Sequence, residues 1–166
     1  IYTLQVIGVP EYYLGGDFKI HRTSKGIETF SFCAKTYLKN VCSKIEELMG
    51  QTLKKYDTPM AHHDHPEIED TRPLTPDEHS RYRMLIGCAQ WAVTLGRVDI
   101  MFAVQTMARF SAAPQQAHLD RMFRIFGYLK HHTEYGIMID PHDHPLPPMN
   151  DIEVNWKEQY PCDGEE

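Results

Sequence analysis

At 166 residues the chain suffices for one modest domain, or two small ones, with a real hydrophobic core. A net charge of −6 argues, read alone, against a general binder of polyanions, and four cysteines without a CxxC pair exclude a disulfide framework or a Cys-based zinc site. No signal sequence or lipidation motif is legible. The longest uncharged apolar run, Met84 to Gly96, is thirteen residues, too few to cross a bilayer as a helix.

The charge is not evenly spread. Residues 1–56 hold eight Lys/Arg against five acids and residues 80–133 seven against two, whereas 57–79 hold one against seven and 134–166 one against nine. Basic globular blocks separated by acidic connectors have the sign a phosphate backbone requires, although ordinary variation among solvated faces gives the same pattern. The cysteine usage fits a reduced, intracellular protein. The pattern begins midway at Ile1, as expected of a piece of something longer.

In chain order, Leu4 to Val9 is a short apolar run that predicts a strand ending at Pro10. Tyr12 to His21 alternates, with Tyr12, Leu14, Phe18 and Ile20 on one face, and Ile27 to Ala34 alternates again around Phe30 and Phe32. Two period-2 runs either side of Thr23-Ser24-Lys25-Gly26 predict a β-hairpin. Gly15 and Gly16 interrupt its first strand, either as a bulge or because something must approach that backbone closely. Lys35 to Met49 changes to helical spacing, with Tyr37, Val41, Ile45, Leu48 and Met49 as its stripe and Gly50 as its stop. Lys35, Lys39 and Lys44 lie off that stripe, as phosphate contacts or as a solvated face.

Residues 57–76, with four prolines and His62-His63-Asp64-His65, read as an acidic linker. Imidazole and carboxylate are zinc ligands, but adjacent positions rarely converge on one tetrahedral ion, and no structural zinc is expected. Thr75-Pro76-Asp77-Glu78 is a capping box that opens a helix from Pro76 to Leu95, stopped by Gly96. Its apolar ridge is Tyr82, Leu85, Ile86, Ala89, Ala92 and Val93. Asp99 is placed to cap a helix running to Phe110, with Ile100, Ala103, Val104 and Met107 buried. Pro114 opens a further helix to His132, carrying Leu119, Met122, Phe126 and Leu129. Ile137 to Asp140 predicts a short strand, and 141–166 an acidic tail.

Chemistry-bearing groupings are sparse. Two-metal catalysis needs clustered carboxylates. Asp17 reads as a strand-face residue and Asp99 as a cap, so no such cluster is found, and neither a P-loop nor a Ser/His/Asp grouping appears. The unusual feature is a row four residues apart on the central helix: Arg83, Gly87 and Trp91, a cation, a missing side chain and a flat ring. Packing explains this row if Gly87 permits a close helix crossing and Trp91 is core.

A resemblance enters on these residues. Tyr82-Arg83-Met84-Leu85-Ile86-Gly87, Arg97-Val98-Asp99-Ile100, Phe102-Ala103-Val104, Ala108-Arg109-Phe110, Pro114, His118 and Tyr128-Leu129-Lys130 resemble the downstream part of reverse transcriptases from copia-type retrotransposons. Upstream, Tyr13-Leu14-Gly15-Gly16-Asp17-Phe18 and Thr58-Pro59-Met60 continue it, over roughly residues 5 to 140.

The resemblance implies an α+β chain. Residues 1–56 would be the end of the palm with a primer-grip-like hairpin, 57–76 a linker, 77–140 a mainly α-helical thumb, and 141–166 a linker toward a missing RNase H. It implies a non-catalytic part of an RNA-directed DNA polymerase, with no cofactor in this chain and Mg²⁺ only in the missing catalytic part of the palm. Its partners would be the RNA/DNA primer–template duplex and the remaining palm, fingers and RNase H of the same polyprotein, with no membrane. Its place would be the cytoplasm, in virus-like particles if the element is active. Gly15 and Gly16 would meet the primer end, Gly87 and Trp91 the sugar rims, and Arg83 and Arg97 the phosphates. The rival reading is a degenerate element remnant that acts only as a structural or protein-interaction domain.

Overall fold

Period-2 and period-3.6 segments fold into separate elements that share one core in the computed structural model, which describes residues 11–22, 26 and 28–140. Four strands, β1 (Tyr12–Tyr13), β2 (Gly16–Arg22), β3 (Glu28–Cys33) and β4 (Gly136–Ile139), form an antiparallel sheet in that spatial order. Four helices, α1 (Lys35–Met49), α2 (Pro76–Thr94), α3 (Met101–Ala108) and α4 (Gln116–His131), complete an α+β architecture. The strand expected over Leu4 to Val9 and the acidic tail lie outside the described residues.

The hairpin forms at the expected place, with Phe18 opposite Phe32 and their rings 4.7 Å apart. The first strand is not continuous, however. Leu14 (φ 49°) and Gly15 (φ 94°) make a tight turn between Tyr13 and Gly16, so β1 folds back onto β2. Two successive positive φ angles define the turn whose twist suits a two-residue hairpin, and Leu14 is an uncommon residue to occupy one. Gly16 is a glycine for a different reason: a Cβ there would lie 1.9 Å from the Phe32 ring. β4 arrives from the far end of the chain and pairs Phe30 with Ile139 and Phe32 with Ile137.

The capping box of α2 is present as the sequence requires. The Thr75 hydroxyl accepts from the Glu78 amide at 3.4 Å, and the Glu78 carboxylate accepts from the Thr75 amide at 2.9 Å. The buried faces are Leu38, Val41, Cys42 and Ile45 on α1, and Tyr82, Leu85, Ile86, Ala89 and Ala92 on α2. Ala103, Val104 and Met107 on α3 and Leu119, Met122, Phe126 and Leu129 on α4 join them in one continuous cluster. The α1 stripe is rotated from the expected one, since Leu38 and Cys42 are buried while Leu48 is exposed. A row at i, i+3, i+4 and i+7 meets the neighbouring helices, while Leu48 opens onto a cavity lined also by Met84, Leu85 and Leu119. Inside the cluster the Tyr82 hydroxyl donates to the Met107 carbonyl at 2.6 Å, so its one polar atom is satisfied.

Asp99 does not cap α3. A 3-10 turn at Val98–Ile100 precedes the helix, and Asp99 instead accepts hydrogen bonds from Arg97 and from the Tyr128 hydroxyl. The segment 57–76 is held along α4. Arg121 bonds both Asp64 and Glu69, the Thr71 hydroxyl donates to the Gln115 side chain, and buried His118 is hydrogen-bonded to the Pro66 carbonyl. In the histidine run, the His62 and His63 rings meet edge to face while His65 pairs with Glu67.

Candidate nucleic-acid interface

Because Tyr82, Leu85, Ile86, Ala89 and Ala92 turn inward, helical geometry turns Arg83, Gly87 and Trp91 outward. All three are exposed. A Cβ built on Gly87 would meet nothing within 4 Å, so no helix among the described residues crosses there. Trp91 is 41 % exposed, and its indole N–H has no partner among the described residues. An exposed indole with a free donor is unusual for a residue of this size. Arg83 likewise forms no hydrogen bond or ion pair with the described residues, leaving its charge available.

The hairpin turn lands on the C-terminal end of this row. A Cβ on Gly15 would lie 3.4 Å from the Trp91 indole nitrogen and 3.3 Å from a Leu95 methyl, so the turn packs on both, and the φ of 94° is what calls for glycine there. Tyr12, Tyr13 and Leu14 around the turn are 55 %, 62 % and 63 % exposed. The turn, Trp91, Gly87 and Arg83 thus make a strip with a flat, largely apolar end and a cationic end. Gly16, by contrast, is buried beneath Phe32 and does not reach this surface.

Three contacts fix the strip. The Asp17 carboxylate on β2 accepts from the Thr36 amide at 2.8 Å and from the Thr36 hydroxyl at 2.6 Å, so a strand residue caps α1 from outside its own sequence neighbourhood. The Tyr37 hydroxyl on α1 donates to the Cys88 carbonyl on α2 at 2.9 Å, and burial pushes its ionisation well above the ordinary tyrosine range. Gly15 against Trp91 and Leu95 closes the triangle between hairpin, α1 and α2.

Arg97 does not belong to the strip. Its side chain is wholly buried, with the guanidinium forked onto Asp99 at 2.9 and 2.7 Å and donating to the His132 carbonyl at 2.8 Å. It also lies 5.7 Å from the Tyr128 ring centre and 5.6 Å from that of Tyr135. Burial pushes the Asp99 carboxyl up, but the bonds from Arg97 and Tyr128 outweigh it and hold the group below its ordinary value. This arginine ties the α2–α3 corner to the segment entering β4, and no phosphate reaches it in this arrangement. Among the described residues, no group of three or more His, Cys, Asp or Glu side chains could hold a metal ion. None of their helices is long and apolar enough to cross a membrane.

Strand alternation does not mark Tyr12, Tyr13 and Leu14 as site residues, because it sets Tyr12 and Leu14 on one face with Phe18. The legible signal was the Leu14-Gly15-Gly16 run, which reads as a turn as well as a bulge.

No family profile and no solved structure matches this chain. Over 129 residues, 78 % of its length, it is 29 % identical to a Saccharomyces cerevisiae protein described as belonging to transposon Ty5-1. The match covers 39 % of that relative, so the chain spans well under half the length of the curated protein it resembles. The similarity is to a protein described as a transposon's.

Proposed function

We propose that this chain is the primer-grip and thumb portion of a retrotransposon RNA-directed DNA polymerase, and that it positions the primer–template duplex without catalysing incorporation. The observation that carries this reading is the exposed Trp91 seated against Gly15. It joins, on one surface, the two stretches for which the resemblance implies nucleic-acid contact. Gly87 leaves the helix backbone open to the rim of a duplex, and Trp91 and the turn offer flat apolar surface to the sugars. Arg83 supplies a cation for a phosphate. None of these groups reads a base edge, which suits a protein that must move along any sequence.

The test is duplex binding by Trp91→Ala. Loss of an exposed stacking aromatic should weaken binding by about 1–3 kcal/mol, roughly 5- to 150-fold, with little change in the denaturation midpoint. Parental affinity in a folded Trp91→Ala protein would favour a structural or protein-interaction role.

A further inference from the structure

Lys19, His21, Ser31 and Cys33 point away from the sheet face that carries Phe18 and Phe32, because successive strand residues alternate. With Glu134 they line a cleft of ≈ 250 Å³. Lys35, at the first turn of α1, pairs with Glu134, and Lys39 stands one helical turn further on. The Glu134 carboxyl is held below its ordinary value, first by the hydrogen bond from Lys35 and further by the charges of Lys19 and Lys39. Lys19 thus lines the cleft beside Glu134 and Lys35 pairs with it, while Lys39 lies on the next turn of α1; Glu134 is itself 61 % exposed, in the turn before β4. The other acid nearby, Asp17, has both oxygens engaged by Thr36. Lys19 and Lys39 make no hydrogen bond or ion pair with the described residues. The remaining polar pair, His21 Nε2 and the Ser31 hydroxyl, is 2.7 Å apart and exposed.

Glu134 and Asp17 set two negative charges against the three cations of Lys19, Lys35 and Lys39, and a partly exposed ion pair such as Lys35–Glu134 is worth little, so a stronger anion displaces Glu134 at small cost. We propose that this cleft is a second nucleic-acid contact, taking a backbone phosphate on Lys19, Lys35 and Lys39 in the place that Glu134 holds in the free protein. The proposal rests on the duplex-binding reading for the identity of its ligand, but on none of the residues of the Trp91 strip.

Two variants with opposite expected signs test it, in the full chain, by anisotropy with a labelled duplex across a salt series. Lys19→Gln/Lys39→Gln should lower the slope of log affinity against log salt by about one unit, the share of one phosphate. Glu134→Gln, which removes the competing carboxylate, should tighten binding by about three- to tenfold. Trp91→Ala should keep the parental slope while losing affinity. A parental slope in the lysine variant, or unchanged or weaker binding in Glu134→Gln, overturns the cleft even if Trp91→Ala behaves as expected. Loss at the lysines with no effect at Trp91 sustains the cleft and sinks the strip, and absence of duplex binding by the parent overturns both. Displacement of the duplex by millimolar inorganic phosphate would assign the cleft to free phosphate and overturn the backbone contact.

Discussion

The two arginines that bracket the apolar run Met84 to Gly96 have opposite fates. Arg83 is exposed and unpaired among the described residues, whereas Arg97 is buried and bonded by every nitrogen-bearing arm of its fork. Replacing each should separate their roles. Arg83→Ala should leave the urea midpoint near the parent's and reduce the salt slope of duplex binding by about one unit. Arg97→Met should instead cost about 3 kcal/mol of stability, because it strands a partly buried Asp99 carboxylate and the His132 carbonyl. A parental midpoint for Arg97→Met would show that the buried fork is not structural. Asp17 follows the same logic. Asp17→Ala should lose about 1 kcal/mol as a missing helix cap, measured by denaturation.

At the level of elements, the turn between β1 and β2 decides whether the strip exists. Gly15 combines a φ of 94° with packing against Leu95 and Trp91, so Gly15→Ala meets backbone strain and presses slightly on the Leu95 methyl. A loss of about 1–2 kcal/mol is expected, together with a changed Trp91 fluorescence maximum as the indole moves. An unchanged emission spectrum would mean that the turn does not seat the ring. The segment 57–76 is a second case. Its carboxylates Asp64 and Glu69 converge on Arg121, whose side chain is only 16 % exposed. Arg121→Ala should destabilise by roughly 2–3 kcal/mol, between the values for exposed and buried pairs, and should speed proteolysis within 57–76.

For the whole molecule, acid stability follows from carboxylates held low by basic partners. Glu78 is pulled from 4.5 down to about 2, first by Arg72 and then by the Thr75 amide, and Asp99 is lowered through Arg97 and Tyr128. A depressed folded pKa means stabilisation that is complete above the unfolded value and is lost as pH falls. For Glu78 the loss is therefore expected between about pH 4.5 and about 2. A melting temperature that stays flat across that window would contradict the assignment, and Arg72→Gln should shrink the Glu78 share.

Local chemistry alone determined a good part of this protein. The capping box at Thr75 to Glu78, the α2 ridge from Tyr82 to Ala92 and the α1 span are written in nearest-neighbour spacing, and they form as read. Exposure of the Arg83–Gly87–Trp91 row was not decidable from spacing, since the same row serves a helix crossing equally well. It depends on which helices pack where, and none among the described residues crosses Gly87. Burial of Arg97 is likewise a long-range outcome, set by Tyr128, His132 and Tyr135 arriving from the other end of the chain. The break at Leu14–Gly15 hid because alternation is blind to a two-residue turn that restores register. Joining Gly15 to Trp91 brings together residues 76 positions apart, and only the shared core of hairpin, α1 and α2 imposes that contact.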